Sequence, residues 1–439
     1  MVCNDYESNF PLKIENNKLN NYNINKCIND NIRDFNSRFL LLEISPSQMG
    51  LISQIIKLQN PFKEIIVYNG SPFLDDINNS RYISNIINEI TNNAKEDKLI
   101  IIENFDQIHP FLFELYNKNY QIIDGEKYTK IFLDNFNPQL IRVSEEFRII
   151  VFIDKKCINK YDLMFLDRFE KIDCVLEDLL NNELKRISRN IIKEINLKSY
   201  VDKYKKKNKD NPFGDLLINC EEEDIHGLIY YFSQISKNNN NDSEHENHID
   251  EDELKEKVIN KIYKILPYDI ISILPDENII KQKYLKEKKI FNIQDYINEE
   301  ENKQYKISII YTFSIISNII ENFNSFWISE IKNENGFKNK IEELKILNEK
   351  EDSIFIYFEH SQSKYLNFIS NYILNNYKDD KYNYIIIIHI NKNCINKTEG
   401  IYSIPDINPY INQIFIDDLN GQNKNIYSDN SDDYDSEKS

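Results

Sequence analysis

The pattern of apolar and polar residues predicts a first unit in which strands alternate with helices. Continuous apolar runs, short enough to be buried strands of a parallel sheet, occur at Arg38–Ile44, Glu64–Gly70, Leu99–Ile102 and Phe147–Ile153. Apolar residues at helical spacing predict helices over Ser47–Gln59 and Asp75–Ala94, and a third from about Gln107 to Lys118. This alternation favours an α/β fold with a doubly wound, mostly parallel sheet.

A hairpin is predicted before the fourth of these strands, and a second α/β unit is predicted further along the chain. The hairpin pairs Lys130–Asp134 with Gln139–Val143 across an Asn-Pro turn. Strands of the second unit are predicted within Lys306–Ile320 and at Glu351–His360, Tyr382–Ile390 and Gln413–Leu419. An amphipathic helix is predicted over Lys364–Tyr377. The two units share a plan, so we expect tandem doubly wound sheets with helical segments between them.

Composition divides the chain into five parts. We expect a loose, Asn-rich leader over 1–37, a first α/β module over 38–175, a helical lid or linker over 176–300, a second α/β module over 301–420 and a disordered acidic tail over 421–439. Helices of the linker are predicted over Glu177–Lys207, within Gly214–Ile235 and over Glu253–Leu266. The polar stretch 237–252 has too little apolar content to fold and is predicted to be an exposed loop.

Net charge and cysteine spacing argue against several classes of function. The 439 residues carry 54 Lys and Arg against 72 Asp and Glu, a net charge of -18, which opposes binding to nucleic acid or to an anionic membrane. The six Cys are scattered without a C-x-x-C pair, a distribution typical of reduced thiols in an intracellular protein. With no signal-peptide pattern and no membrane-spanning apolar run, we expect a cytoplasmic protein without a transmembrane segment.

The phosphate-binding loop of a nucleotide-binding protein is missing from the sequence. Such a loop reads G-x-x-x-x-G-K-[ST] between the first strand and its helix, because glycine lets backbone N–H groups approach phosphates that a lysine then bridges. The corresponding segment here, EISPSQMGLISQ, has one glycine (Gly50), a proline (Pro46) and no lysine before Lys57. No G-K-S or G-K-T occurs anywhere in the chain. We therefore predict that this chain does not hydrolyse ATP by itself.

The order of parts over 98–172 resembles the second half of a AAA+ ATPase module: a strand ending in an acid, a helix, a hairpin, a strand ending in a polar residue, and an arginine. In this resemblance Glu103 and Asn104 stand at the Walker B position, which in working modules binds Mg²⁺ and polarises water. The second carboxylate has become an amide, so the position is degenerate. Asp154 stands where AAA+ modules place a polar sensor residue. Arg168 stands where they present an arginine finger to the γ-phosphate of a neighbour.

These positions also have plain structural interpretations. For Arg168 the alternative is a surface ion pair with Asp167 or Glu170, and the sequence leaves both open. For Glu103 we expect a strand-end acid that caps a loop or helix rather than a magnesium ligand. In the second unit the corresponding strand ends in Glu359 and His360.

One stretch carries a more specific resemblance, and it reads GEKYTKIFLDNFNPQLIRVSEEFRIIVFIDKKCINKYDLMFLDRFEKI. It resembles the mysterin family, giant AAA+ RING-type E3 ubiquitin ligases with a dynein-like core, in which the same hairpin, FR-led strand, acidic-lysine turn and NRLEK-type finger follow in this order. RFLLLEISPSQMGLISQII and YNGSPF resemble the start of the degenerate fifth module of that family. The segments that follow the fifth module in that family, including its sixth module, resemble DLLINCEEEDIHGLIYYFSQI, ILPYDIISIL, KISIIYTFSIIS and IFIDDL.

The resemblance implies a tandem of non-hydrolysing modules from the motor core of the ligase. ATP with Mg²⁺, and zinc, would then be bound by other parts of the parent protein, and we expect no cofactor in this chain. Its partners would be neighbouring AAA+ modules and, indirectly, the ubiquitination machinery. The family has Asn where this chain has Asp167, a difference that bears on how Arg168 is presented.

Two further hypotheses come from other classes of function. One is a free-standing protein-binding scaffold of AAA+ fold, and the other is an enzyme of different chemistry that uses His109 with Glu103 or His360 with Glu359. A capping or turn role is favoured for each histidine. His245 and His248 lie in the polar stretch 237–252, where we expect a solvated loop rather than a metal site. Cys157 and Cys174 are expected to fill apolar space.

Overall fold

The computed structural model of the chain is an α/β protein built on two five-stranded parallel sheets. It describes residues 24–132, 138–195, 222–239, 250–266, 271–272, 274–287, 292–298, 305–314, 324–347, 353–377, 380–390 and 411–416. Strands and helices are numbered below in chain order.

The first sheet contains the four predicted strands and one that the sequence did not reveal. Its strands are β1 (Phe39–Ile44), β2 (Ile65–Asn69), β3 (Leu99–Glu103), β7 (Arg148–Asp154) and β8 (Phe169–Asp173). They are parallel and lie in the order β2-β3-β7-β1-β8. The unpredicted strand, β8, reads FEKID and is buried only at Phe169 and Ile172, so it lacks the continuous apolar run of a central strand.

The second sheet repeats this arrangement. Its strands are β9 (Ile307–Thr312), β10 (Ser325–Trp327), β11 (Ser353–Glu359), β12 (Asn383–His389) and β13 (Asn412–Phe415), and they are parallel in the order β10-β11-β12-β9-β13. Counted from first to fifth within each unit, both sheets have the order 2-3-4-1-5. The prediction that the two units share one plan is therefore confirmed.

A small antiparallel sheet is inserted between β3 and β7. It consists of β4 (Gln121–Ile123), β5 (Glu126–Phe132) and β6 (Pro138–Val143). The predicted hairpin is confirmed as the pair β5–β6, although β5 starts four residues earlier than predicted. Its Asn-Pro turn lies at 133–137, outside the described residues. A further turn at Asp124 and Gly125, both with positive φ, adds β4.

Thirteen α-helical segments occur in the described residues. They are α1 (Ile24–Arg33), α2 (Met49–Gln59), α3 (Leu74–Ile77), α4 (Ser80–Asn93), α5 (Phe113–Tyr116), α6 (Leu163–Leu166), α7 (Asn182–Ile195), α8 (Glu222–Asn239), α9 (Glu251–Ile265), α10 (Ile279–Glu287), α11 (Ile293–Asn298), α12 (Glu334–Leu347) and α13 (Leu366–Asn376). None of the helices in the described part of the chain is both long and apolar enough to cross a membrane.

Several predicted boundaries are wrong for local physical reasons. The leader is not loose throughout, because α1 buries Ile24, Ile28 and Ile32 at helical spacing. The helix predicted from Gln107 to Lys118 is instead a 3-10 turn over Asp106–Leu112 followed by the single turn α5. Pro110 lies within that turn, and proline removes an N–H that an α-helix needs.

The predicted helix over Asp75–Ala94 is divided into α3 and α4. The Asn79 side chain accepts hydrogen bonds from the backbone N–H groups of Arg81 and Tyr82 at 3.0 and 3.2 Å, so it caps α4 and starts a new helix there. The predicted loop 237–252 is shorter at both ends, because α8 continues to Asn239 and α9 begins at Glu251. The predicted helix beyond Ile195, and residues 214–221 of the next segment, lie outside the described residues.

One apolar core joins the two units. Alternate residues of the central strands Leu40, Leu42, Ile101 and Phe152 face a cluster that also contains side chains of β9, β11, β12, α2 and α13. The other face of the first sheet forms a second cluster with the 3-10 turn, α4 and α5. This period of two is expected for strands buried on both faces. The shared cluster places α13 of the second unit beside α2 of the first.

Candidate functional site

The carboxyl ends of β1, β3 and β7 form the edge at which a doubly wound sheet binds its ligands. Ile44 pairs in register with Asp154, and Glu103 pairs with Phe152 on the neighbouring strands. The structure therefore brings the segment Ser45–Gly50, the pair Glu103–Asn104 and Asp154 to one edge, as the sequence predicted. What these residues contact at that edge decides what they can do.

The segment after β1 is compact and makes no glycine-rich loop. Pro46–Gln48 form a 3-10 turn and α2 begins at Met49. Gln48 is buried and its Nε2 donates to Glu223 Oε2 of α8 at 2.6 Å. A Cβ atom added to Gly50 would collide with Oδ1 of Asn371 from α13. Asn371 thus occupies the space beside Gly50 in the first turn of α2.

Glu103 is the last residue of β3 at this edge, and it is fully buried. Its carboxyl accepts a very short hydrogen bond from Ser53 Oγ of α2, and Asn371 Nδ2 lies 3.5 Å from its second oxygen. Burial raises the pKa of Glu103 from 4.5 to about 7, a shift that Ser53 and Lys57 reduce. Glu103 was expected to cap a loop or a helix. In the structure its carboxyl contacts Ser53 and Asn371 instead. It connects β3 to α2 and to the second unit.

Asn104 follows Glu103 in a left-handed conformation with φ of 50°. Asparagine tolerates this conformation better than most residues. The backbone of Gly70 approaches closely here: Gly70 N donates to Glu103 O at 2.8 Å, and a Cβ at Gly70 would collide with the Asn104 carbonyl. The amide at this position therefore suits the backbone, and its side chain is exposed.

Asp154 acts as a cap in the structure. It precedes a 3-10 turn over Lys155–Lys160, and its Oδ1 accepts from the backbone N–H of Lys156 at 2.9 Å. Its Oδ2 accepts from Cys157 Sγ at 3.5 Å, and Lys160 Nζ lies 3.3 Å from the same sulfur. Cys157 therefore has polar partners, and the expectation that it fills apolar space is wrong. Cys174 is buried, and burial raises its thiol pKa to about 12.

Arg168 lies at the opposite, amino edge of the sheet, directly before β8. Its guanidinium carbon is 4.3 Å from the centre of the Phe113 ring, and Nη1 donates to the Met164 carbonyl. Among the described residues no salt bridge joins Arg168 to Asp167 or Glu170. Asp167 pairs with Lys171 at 3.5 Å, and Glu170 accepts from Asn31 Nδ2 at 2.6 Å. The surface ion pair considered for Arg168 is therefore absent from this part of the chain.

The pair of His109 with Glu103 is not assembled in the structure. His109 is buried, its Nδ1 lies 2.9 Å from the Tyr116 hydroxyl, and burial lowers its pKa to about 4. It packs against Phe165 rather than reaching Glu103. Glu359 pairs with Nδ1 of His389, the residue beside it in register on β12, at 3.3 Å.

The side chains of His360, His245 and His248 lie outside the described residues. Within the described residues no group of three or more His, Cys, Asp or Glu could hold a metal ion.

Two features of this arrangement were not visible in the sequence. Asn371 lies in the middle of a helix with no motif around it, and only the fold brings it to Gly50. Tyr365, the N-cap residue of the same helix, stacks on Phe73 of the first unit with ring centres 5.0 Å apart. Contacts between the two units, rather than any local pattern, determine the chemistry of this edge.

The strand order 2-3-4-1-5, repeated in both units, and the antiparallel insertion after the third strand define the class as AAA-like modules. Residues 29–180 match the family model described as the RNF213 AAA domain, the fifth of that series. The resemblance to the mysterin family is thereby confirmed for this segment, which contains the first sheet and the end of α1. No curated protein matches the chain.

Proposed function

We propose that the chain is a non-hydrolysing pair of AAA modules that forms part of the motor core of a mysterin-like E3 ubiquitin ligase. Its role there is structural and interface-forming, and ubiquitin transfer and ATP hydrolysis belong to parts of the ligase outside this chain. The modules are those of 38–175 and 301–420, the second corresponding to the sixth module of the family. Residues 176–300 connect them as a helical linker.

The observation that carries this proposal is the position of Asn371. It fills the space beside Gly50 and contacts the buried Glu103, so the second unit closes the edge at which the first would bind nucleotide. The remaining chemistry agrees with this. The lysine and the second acid of a hydrolysing site are missing. Asn104 has a left-handed backbone conformation, and the Asp154 side chain caps a 3-10 turn.

Partners and cofactors follow from the same proposal. The partners are neighbouring AAA+ modules, with the ubiquitination machinery engaged indirectly, in the cytoplasm. ATP, Mg²⁺ and zinc are bound elsewhere in the parent ligase. Arg168, at the amino edge and without a carboxylate partner in the described residues, is the residue we assign to the contact with a neighbouring module.

Calorimetric titration of the whole chain with ATP and Mg²⁺ tests the proposal, with tripolyphosphate as the reference ligand. We expect no binding that depends on the adenosine part, and no hydrolysis. Micromolar affinity for ATP well above that for tripolyphosphate would overturn the proposal, because a working nucleotide site recognises more than phosphate. Sequencing the complete transcript distinguishes a part of a ligase from a free-standing scaffold.

A further inference from the structure

The amino edge of the first sheet carries a basic pocket with a volume of ≈ 470 Å³. Three cationic side chains line it, Arg38, Lys118 and Arg168, together with one acidic residue, Asp167. Arg38 and Arg168 directly precede the paired strands β1 and β8, and Lys118 follows α5. The basic pocket thus lies at the end of the sheet opposite to Glu103 and Asn371.

The backbone holds the three cations in place without neutralising them. Arg38 Nη1 donates to the Asp167 carbonyl at 2.5 Å, Arg168 to the Met164 carbonyl, and Lys118 Nζ to the carbonyls of Phe35 (2.7 Å) and Ser37. In the described part of the chain none of the three has a salt bridge. Lys118 adopts a left-handed backbone with φ of 52°, a conformation uncommon for lysine and found more often at functional sites.

The charge around the basic pocket is unbalanced in favour of cations. Arg148, 1% exposed, lies close enough that burial and the charges of Arg148 and Lys127 lower the pKa of Lys118 to about 8, against the opposing effect of Asp34 and Glu170. Positive charge that no salt bridge neutralises in the described residues would be satisfied by an anion.

We propose that the basic pocket binds the phosphate group of a small ligand, with Arg38, Lys118 and Arg168 as its donors. Three cations from three elements suit a tetrahedral oxyanion with several acceptor oxygens, whereas a planar carboxylate is matched by one guanidinium fork. The pocket is large enough for more than one phosphate. The inference goes beyond the proposed function, which requires no ligand at this edge. It assigns Arg168 to a small ligand bound together with Arg38 and Lys118 of the same chain, in place of the contact with a neighbouring module.

Calorimetry on the whole chain at low salt, with inorganic phosphate and tripolyphosphate as separate ligands, tests the proposal. We expect saturable binding, tighter for tripolyphosphate, that weakens steeply as salt is added. Lys118→Gln and Arg168→Gln should each weaken it about tenfold, the loss of one charge-assisted hydrogen bond. Asp167→Asn should strengthen it about threefold by removing the nearby negative charge. Lys160→Gln, at the carboxyl edge, is the matched control and should leave it unchanged.

A second readout follows the proton on Lys118. In NMR spectra of the chain with ¹³C-methylated lysines, tripolyphosphate should raise the pKa of Lys118 and leave the methyl signal of Lys160 unchanged. The proposal is overturned if a folded Lys118→Gln/Arg168→Gln variant binds tripolyphosphate as the parent does, if neither phosphate ligand binds, or if citrate binds more tightly than tripolyphosphate. ATP binding equal to that of tripolyphosphate supports the basic pocket. ATP binding that greatly exceeds it and survives in the double variant contradicts the proposed function instead.

Discussion

The two edges of the first sheet handle buried charge in opposite ways. At the carboxyl edge, Glu103 is fully buried beside Ser53 and Asn371, and its raised pKa of about 7 means that it binds a proton in much of the neutral range. At the amino edge, Arg148 is 1% exposed and remains charged, because a guanidinium does not lose its proton under these conditions.

The difference lies in the partners that each charge has. Arg148 donates to the carbonyls of Ser37 and Arg38 at 2.9 and 2.7 Å, to Asn31 Oδ1 at 2.6 Å and to Ser37 Oγ at 3.1 Å. Four acceptors can hold a cation in the interior. Among the described residues, the carboxyl of Glu103 has only the Ser53 hydroxyl and, at 3.5 Å, the Asn371 amide as hydrogen-bond donors. Two donors do not offset the free energy of burying a carboxylate, so the protonated, neutral form is favoured. The carboxyl edge is closed by Asn371, and its acid Glu103 becomes neutral as it binds a proton. The amino edge carries the open basic pocket.

The largest effect is expected from Arg148→Met, which removes the cation that organises the amino edge. Several carbonyl and amide acceptors would lose their donor in the interior, so we expect a loss of about 4 kcal/mol in the free energy of unfolding. Urea denaturation followed by circular dichroism measures it. Arg142→Met is the control, because Arg142 is half exposed in a pair with Glu126 and should cost less than about 1 kcal/mol. Equal losses for the two variants would remove the contrast between the edges.

The next effect is a pH dependence that comes from Glu103. Because its pKa is higher in the folded protein (about 7) than its usual 4.5, the folded state binds a proton between these values that the unfolded chain has released. Stability is therefore highest below about pH 4.5 and falls as the pH rises to about 7, by about 3 kcal/mol for this group. Glu103→Gln should remove this part of the pH dependence. If the difference in unfolding free energy between the variant and the parent stays constant from pH 5 to 8, Glu103 is charged in the fold.

Much of the fold could be predicted from apolar runs, and the misses have local causes. The central strands are continuous in Leu, Ile and Val because both faces are buried, so their positions were correct to within one or two residues. The edge strand β8 alternates polar and apolar residues over only five positions, and a pattern of that length does not distinguish a strand. A 3-10 turn replaces the predicted helix around Pro110, because proline lacks the backbone N–H that an α-helix needs.

The candidate site was predictable in position but not in chemistry. The order of strands brings Glu103, Asn104 and Asp154 to one edge, which the sequence indicated. Burial raises the pKa of Glu103, and its contact Asn371 is 268 residues further along the chain. The basic pocket depends on Lys118 lying beside Arg38 and Arg168. Contacts over such separations have no signature in a single sequence.

A steric test of the closed carboxyl edge has the third largest expected effect. Gly50→Leu places a side chain where Asn371 lies, and overpacking of this kind should cost about 2 kcal/mol of unfolding free energy. The second variant, Asn371→Ala, makes room for it. In the double variant Gly50→Leu/Asn371→Ala at least half of that loss should be recovered, measured by the same denaturation. Two additive losses would show that Gly50 and Asn371 are not in contact, and the closed edge would then lose its support.

The smallest effect concerns Asp154, and it separates a cap from a sensor of nucleotide. Because Asp154 Oδ1 accepts from the N–H of Lys156 at 2.9 Å, Asp154→Ala should cost about 1 kcal/mol of unfolding free energy, whereas Asp154→Asn keeps an acceptor and should cost only a few tenths. Neither variant should change the binding of tripolyphosphate, since that ligand is assigned to the amino edge. A residue that sensed nucleotide would respond in the opposite way, with ligand binding altered by Asp154→Asn and stability unchanged by Asp154→Ala. Thermal and urea denaturation of the two variants, with and without tripolyphosphate, therefore decide whether Asp154 has a role beyond stabilising the fold.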